Sequence, residues 1–263
     1  MTKRSFIIIA TGDELVNGVS LNTNSQYIAQ ELYKNFITVD LHITCKDNET
    51  HLKDIIAAYA KSHHIIITGG LGPTDDDITR DVVAAYLSKP LQYQSEVSSY
   101  VAQYIESKGL KMYERHHRQC YFPESSELLE NKHGTAWGFI VQYEDSFIYV
   151  LPGPPKENQP MLNHCLKHMQ SNDVKAIEHR LKWLVKGPEE RIINIIDDVI
   201  IEHKLELHTC THQNIGCDVY FSLPVNSFDS ETATNIASEI ENKWLAANIS
   251  FSANHSLIKG SYE

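Results

Sequence analysis

The chain has 263 residues, of which 42% are hydrophobic and 22% charged, values typical of a soluble globular protein with one or two domains. Its net charge of −11 argues against nucleic-acid or anionic-membrane partners, which would need a basic face. The five cysteines include no Cys-x-x-Cys pair, which argues against a disulfide framework. No apolar stretch reaches the ~18 residues of a membrane span. We therefore predict a cytoplasmic protein, and a small anionic ligand stays compatible with the charge.

The first part of the chain alternates predicted strands and helices. Continuous β-branched runs predict buried strands at 6–10 and 64–68, and alternating apolar residues predict a strand at 36–45. Amphipathic spacing predicts the helices, which are 22–35, 48–62, 77–89 and 95–109. This β-α-β-α-β-α order is typical of a three-layer α/β/α sandwich with a mainly parallel sheet.

The second part of the chain predicts a hairpin at 138–153, a helix at 156–170 and then a small α+β domain. The elements of that domain are strands at 179–187 and 217–225 and helices at 188–204 and 229–248. We predict domain limits of 1–172 and 176–252, followed by a disordered tail at 253–263.

Three loops follow the first three predicted strands. Ligands of doubly wound sheets bind beyond the carboxyl ends of the strands, so TGDELVNG, CKDNET and TGGLGPTDDD should line one edge. Gly69, Gly70 and Gly72 would let the backbone approach an anion and donate N–H groups to it. The alternative is a tight turn without a ligand, but three glycines in four residues favour the ligand. The loop is neither a Walker A motif nor Gly-x-Gly-x-x-Gly.

Three aspartates, Asp75 to Asp77, follow these glycines. One of them would suffice to cap the next helix, so an additional function is favoured. A carboxylate beside a phosphate cradle can hold a cation that bridges to phosphate oxygens. We predict Asp77 as metal ligand and catalytic residue, assisted by Asp47 and Glu14, although a single loop carboxylate is more often a solvated charge. The cation would be Mg²⁺, Mn²⁺ or Co²⁺.

Four motifs, TGDELVNGVSLNTN, GGLGPTDDDITRD, GTAWGF and LPGPPKEN, resemble those of the CinA family and, more broadly, the molybdopterin-binding fold of MogA, MoaB and part of MoeA. The resemblance covers residues 5 to about 170 and implies a MogA/MoaB-like domain followed by a small KH-like domain. No Gly-x-x-Gly loop lies between 179 and 250, so we interpret the second domain as an interaction or dimerisation domain and not an RNA binder. The residues that match family motifs are Gly12, Glu14, Leu15, Gly18, Asn22, Thr23, Asn24, Asp47, Gly69, Gly70, Gly72, Thr74, Asp77, Thr79, Leu151, Pro152, Gly153 and Pro155.

The resemblance implies a metal-dependent pyrophosphatase that hydrolyses ADP-ribose to AMP and ribose 5-phosphate, acting as a homodimer. Because the chain ends before the family's amidohydrolase domain, that second activity is expected to be absent. The alternatives are a molybdopterin-binding or adenylylating protein of molybdenum cofactor metabolism and a non-catalytic nucleotide sensor. The predicted phosphate- and nucleotide-binding residues are Thr11, Gly12, Asn22, Asn24, Thr68, Gly69, Gly70, Gly72, Thr74, Thr79, Arg118, Pro152 and Gly153.

Three positions depart from the family pattern. His116 replaces an asparagine, Trp137 a proline and Asn158 a methionine. Trp137 has two interpretations: it stacks on the base of a nucleotide, or it packs as an aromatic residue of the core. The second is favoured. Arg80 and Arg118 are candidates for phosphate contacts because a guanidinium matches phosphate oxygens in a fork, with surface ion pairs as the alternative.

Overall fold

The computed structural model describes residues 4–35, 37–171, 178–212, 216–224 and 227–257. The chain divides into two compact units between residues 175 and 176. The predicted boundary at 171–178 lies mostly outside the described residues. No helix in the described ranges is both long and apolar enough to cross a membrane.

The first unit contains one large sheet and one small one. Its strands are β1 (Phe6–Thr11), β2 (Val39–Cys45), β3 (His64–Thr68), β4 (Leu91–Tyr93), β5 (Tyr121–Pro123), β6 (Glu127–Leu129), β7 (Gly138–Tyr143) and β8 (Ser146–Leu151). The large sheet has the order β2-β1-β3-β8-β7-β6, in which β2, β1, β3 and β8 pair in parallel and β7 pairs antiparallel with both β8 and β6. Strands β4 and β5 pair separately. The mainly parallel sheet and the hairpin at 138–153 are thus confirmed.

Helices cover both faces of the large sheet. They are α1 (Asp13–Val16), α2 (Thr23–Lys34), α3 (Glu49–Tyr59), α4 (Thr79–Leu87), α5 (Ser95–Ser107), a 3₁₀-helix (Glu114–Cys120) and α6 (Pro155–Ser171). One apolar cluster joins Ile7 and Ile65 to α3, α4 and α5, and another joins Ile8 and Ile66 to α2 and α6. The three-layer α/β/α sandwich is therefore confirmed.

The burial of each strand follows its position in the sheet. Every residue of β1 and β3 is buried, because both strands are central and both of their faces are covered. Strand β2 is an edge strand with partly exposed side chains. Helix α4 begins at Thr79 and not at Asp77, so the residues before it belong to the loop.

The second unit is a small α+β structure, as predicted. Its strands β9 (Glu178–Val185), β10 (Leu207–His212), β11 (Gly216–Pro224) and β12 (Phe251–Ala253) form an antiparallel sheet of order β10-β11-β9-β12. Its helices are α7 (Glu189–Asn194), α8 (Asp197–His203) and α9 (Ser230–Ala246). The single helix predicted at 188–204 is instead two helices, because the chain turns at residues 195–196 with a tight bond from Ile196 N–H to Ile193 O. The KH-like comparison stays a prediction.

Residues 254–257, which fall within the predicted tail, continue beside β9. The N–H of Asn254 donates to Lys182 O, and Ser256 forms a two-bond bridge with Arg180. Together with β12, these bonds extend the sheet along the edge of β9. Residues 258–263 lie outside the described part of the chain.

Candidate functional site

A cleft of about 380 Å³ opens beyond the carboxyl ends of β1, β3 and β8, where the parallel-sheet rule predicts a ligand site. Its size lies within the range of small-molecule pockets. Ten of the predicted site residues line it: Thr11, Gly12, Glu14, Asp47, Gly69, Gly70, Gly72, Asp77, Pro152 and Gly153. The other lining residues are Leu71, Pro73, Asp76, Gln119, Thr135, Ala136, Pro154 and Glu157.

The glycine loop after β3 is packed too tightly for side chains. Gly69 and Gly70 have φ of 107° and 67°, in the left-handed region that favours glycine. A Cβ at Gly70 would overlap the Thr79 hydroxyl, and one at Gly72 would overlap the Asp77 carboxylate. The loop's own packing therefore requires these glycines, in addition to any need for close approach by a ligand.

Asp77 has a structural role inside this loop. Its Oδ1 accepts the N–H of Gly72 at 2.7 Å, and its Oδ2 accepts the N–H and hydroxyl of Thr74 at 2.9 and 2.6 Å. The carboxylate thus occupies amides that we expected to bind phosphate. Gly69 N–H bonds to Leu151 O, whereas Gly70 and Leu71 are lining residues whose N–H groups take no part in these bonds.

The two arginines named as candidates for phosphate contacts both have partners within the protein. Arg80 is only 1% exposed, and its guanidinium donates to Leu71 O at 2.7 Å and Gly72 O at 3.1 Å. It braces the glycine loop through these two carbonyls and is shielded from solvent. Arg118 is not a lining residue; it donates to Asp75 at 2.8 Å and to Thr74 O at 3.2 Å. Its long side chain is therefore already paired across the loop.

Asp47 and Glu14 supply the acidic side of the cleft. Asp47 follows β2 and accepts the N–H of Asp13 at 3.3 Å. Burial raises the pKa of the Asp47 carboxyl above its usual value, and the charges of Glu14 and Asp13 raise it further. Glu14 lies in α1 with its carboxylate so close to Gly12 that a Cβ there would overlap it. Two carboxylates at the mouth of one cleft favour a cationic partner.

The donor set fits a magnesium-like ion better than a zinc-like one. Among the described residues, no group of three or more His, Cys, Asp or Glu side chains is arranged to hold a metal, so Asp77, Asp47 and Glu14 form no preformed cage. Mg²⁺ needs only one or two carboxylates, because waters and substrate phosphates complete its shell. Asp47 and Glu14 fit that requirement, whereas the oxygens of Asp77 already accept three hydrogen bonds.

Five further predicted residues are not lining residues but make hydrogen bonds within and between the loops. Asn22 caps α2 by accepting Ser25 N–H, and Asn24 donates to Thr68 Oγ1 and Gly153 O. Thr79, fully buried, donates to Gly69 O. Thr68 donates to Pro152 O, and Thr74 contacts Asp77 as described above. These hydrogen bonds help to set the shape of the loops around the cleft.

The three departures from the family pattern have separate structural roles. Asn158 is buried and donates to Thr68 Oγ1 and Pro152 O, each at 3.0 Å, so it fastens the loop after β8. Trp137 is 6% exposed and packs edge-on against Tyr100, which confirms the core interpretation. His116 accepts Tyr113 N–H at the start of the 3₁₀-helix.

Two of the eight lining residues that the sequence analysis did not predict carry polar groups that a ligand could use. Glu157 stands in the first turn of α6, and burial raises the pKa of its carboxyl. Gln119 is 1% exposed, and its side-chain oxygen has no hydrogen-bond partner within the described part of the protein. Such an atom is a candidate for contact with a ligand. Glu157 lies within the quoted motif LPGPPKEN, whereas Gln119 lies outside all four motifs, and the position of both at the cleft depends on the tertiary fold.

Fold and cleft together define a class: an α/β protein with a ligand site built from glycine-rich and acidic loops after parallel strands. Residues 7–171 match the family model described as "Probable molybdopterin binding domain", and the chain belongs to this family.

The similar proteins agree with the predicted CinA resemblance. A "Putative competence-damage inducible protein" of Caldicellulosiruptor saccharolyticus is 40% identical over 195 residues, 72% of this chain and 47% of the relative. A protein of the same name from Clostridium botulinum is 32% identical over 238 residues, 90% of this chain and 58% of the relative. The chain thus spans about half the length of these relatives. The crystal structure of "the protein CinA with unknown function from Thermoplasma acidophilum" has a TM-score of 0.57 at 24% identity, covering 66% of this chain and 99% of that one, and so shares the fold.

Proposed function

We propose that the protein is a divalent-cation-dependent pyrophosphatase that hydrolyses ADP-ribose to AMP and ribose 5-phosphate. The observation that carries the proposal is the juxtaposition of the glycine loop with Asp47 and Glu14 in one cleft. A phosphoanhydride needs both backbone donors for its oxygens and a cation to neutralise its charge. Hydrolysis, as opposed to binding alone, is the function implied by the CinA resemblance.

Each part of the cleft has a separate task in this proposal. The N–H groups of Gly70 and Leu71 would donate to phosphate oxygens, and Arg80 would keep the loop in shape through its bonds to Leu71 O and Gly72 O. Asp47 and Glu14 would hold the cation, which would neutralise charge on the phosphate oxygens. Burial makes the charge of the Asp47 carboxylate unfavourable in the free protein. A bound cation would offset that penalty, so Asp47 is well suited to hold one.

The test is AMP release from ADP-ribose by the purified protein with Mg²⁺, Mn²⁺ or Co²⁺, and with EDTA. Asp47→Asn is the informative variant, because the asparagine oxygen can still accept Asp13 N–H while the charge is lost. We expect a loss of at least about 100-fold in kcat/KM, in keeping with removal of a metal ligand or an electrostatic contact to a transition state. Asp54→Asn, exposed on α3, is the matched control and should leave kcat/KM unchanged.

Two outcomes would remove the proposal. One is the absence of AMP release with every cation; the other is turnover that survives EDTA and Asp47→Asn. A second candidate function is then favoured by the match of residues 7–171 to a molybdopterin-binding domain: binding, or adenylylation, of molybdopterin in the same cleft. Fluorescence titration with molybdopterin would test it directly. A non-catalytic nucleotide sensor would bind ADP-ribose without releasing AMP.

A further inference from the structure

Glu157 is a cleft carboxylate without a task in the proposed phosphate chemistry. It lines the cleft beside Thr135 and Ala136, on the first turn of α6. A negative charge near a polyphosphate is unfavourable unless it serves another part of the ligand. The surroundings of this side chain show what that part is.

Glu157 is held in place by Asn131. Asn131 is 1% exposed and uses both amide hydrogens, one to Glu157 Oε2 at 2.5 Å and one to Ala136 O at 2.8 Å. Its oxygen accepts His133 N–H at 2.9 Å. Three bonds leave Asn131 a single orientation, so the Glu157 carboxylate is fixed from one side. On another side a Cβ at Gly134 would overlap that carboxylate.

The Glu157 carboxylate lines the cleft and keeps acceptor positions that Asn131 does not use. An ionised carboxylate has about four acceptor positions, and the bond from Asn131 uses one. Burial raises the pKa of the Glu157 carboxyl, which means that the free protein solvates its charge poorly. A ligand hydroxyl would supply the missing donor, whereas a phosphate oxygen would be repelled. In a nucleotide the donors that lie nearest to the phosphates are the sugar hydroxyls.

We propose that Glu157 is a specificity-determining residue that accepts a hydrogen bond from a sugar hydroxyl of the ligand, and that Asn131 is the positioning residue for it. This inference rests on the proposed nucleotide ligand. It assigns the two kinds of cleft surface to the two ends of one molecule: the glycine loop to the phosphate and the Asn131–Glu157 pair to the sugar.

The experiment is a chemical double-mutant cycle by calorimetric binding, which requires no turnover. The probes are AMP with its 2′-deoxy and 3′-deoxy analogues, and ribose 5-phosphate with 2-deoxyribose 5-phosphate. For the wild type we expect one hydroxyl-bearing probe to bind about tenfold tighter than its deoxy analogue, the size of a hydrogen bond to a charged acceptor. In Glu157→Ala that ratio should fall to about one, with the affinity for the deoxy analogue little changed.

Two more variants separate recognition from folding. Glu157→Gln keeps the side-chain size and the bond from Asn131 but removes the charge, so its ratio should lie between those of the wild type and Glu157→Ala. Asn131→Ala should lower the ratio as well while sparing the deoxy analogue, which a general loss of structure would not do. Glu130→Ala, exposed on the same segment, is the control and should keep the wild-type ratio.

The outcomes distinguish this inference from the proposed function. If every probe pair keeps the same ratio in Glu157→Ala as in the wild type, the inference is overturned while nucleotide binding stands. If no probe binds to the wild type with or without Mg²⁺, the proposed function itself fails and the inference falls with it.

Discussion

At the scale of single residues, the two cleft aspartates differ in what holds them in the free protein. Asp77 accepts three hydrogen bonds from Gly72 and Thr74, so its charge is well solvated by the loop. Asp47 accepts one from Asp13, and burial raises its pKa. The first carboxylate therefore stabilises the folded loop, and the second is available to a ligand or cation at some cost to the free protein.

This difference predicts opposite effects on stability. Asp77→Asn should lower the free energy of unfolding by about 1–3 kcal/mol, because an amide N–H would then face backbone donors. Asp47→Asn should leave the free energy of unfolding unchanged or raise it, since it removes a charge that the site disfavours. Urea unfolding without ligand or cation measures both, with Asp54→Asn as the control. Equal losses from the two cleft variants would contradict the assigned roles.

At the scale of elements, β3 contains a histidine that should make the free energy of unfolding depend on pH. His64 is 5% exposed, and its Nδ1 accepts Phe147 N–H from β8 at 3.1 Å. Burial lowers the pKa of His64 from 6.5 to about 4, and the charge of Arg4 adds to this shift. The folded protein thus keeps the ring neutral where an unfolded chain would protonate it.

The sign of the pH effect follows from proton binding. Below about pH 6.5 the unfolded state binds a proton at His64 that the folded state does not, so stability falls as the pH is lowered towards about 4. Between pH 7 and pH 5 this residue should remove about 2 kcal/mol from the free energy of unfolding. The His64→Asn variant keeps an acceptor for Phe147 N–H but has no group that titrates in this range. Between pH 7 and pH 5 its free energy of unfolding should therefore fall by about 2 kcal/mol less than that of the wild type. Exposed His51→Asn is the control; an equal pH dependence in wild type and His64→Asn would contradict the argument.

The elements also show what the sequence could predict. Strands β1 and β3 were predictable because every residue in them is buried and apolar runs of this kind are visible in the sequence. The position of the following loops at one edge of the sheet then follows from the parallel order of the strands. Strands β4, β5, β6 and β12 have three residues each, too few for a periodic pattern. The partners of the two arginines could not be predicted because charge type does not reveal burial: Arg80 is buried, and Arg118 forms the surface ion pair that was the alternative interpretation. Glu157 was missed because its partner, Asn131, is distant in sequence.

At the scale of the whole molecule, each compact unit has its own apolar core. The first has two clusters, one on each face of the large sheet, and the second has one built around Trp183 and Trp244. Every residue that lines the cleft comes from the first unit. A defect in the second core should therefore leave the structure of the cleft loops intact.

Trp244 provides the test of this separation. Its ring is fully buried and lies edge-on to Trp183 at 5.4 Å, and its N–H donates to Ile192 O at 3.0 Å. Trp244→Phe leaves a cavity and an unpaired carbonyl, so the second unit should lose about 2 kcal/mol of stability. Hydrogen exchange on the whole chain should show faster exchange in β9 and α9 and unchanged protection in β1, β3 and the glycine loop. The matched change in the first core, Phe122→Leu, should produce the reverse pattern. If Trp244→Phe also exposes the glycine loop, the second unit contributes to the site, because the lost packing would then have reached loops that share no core with it.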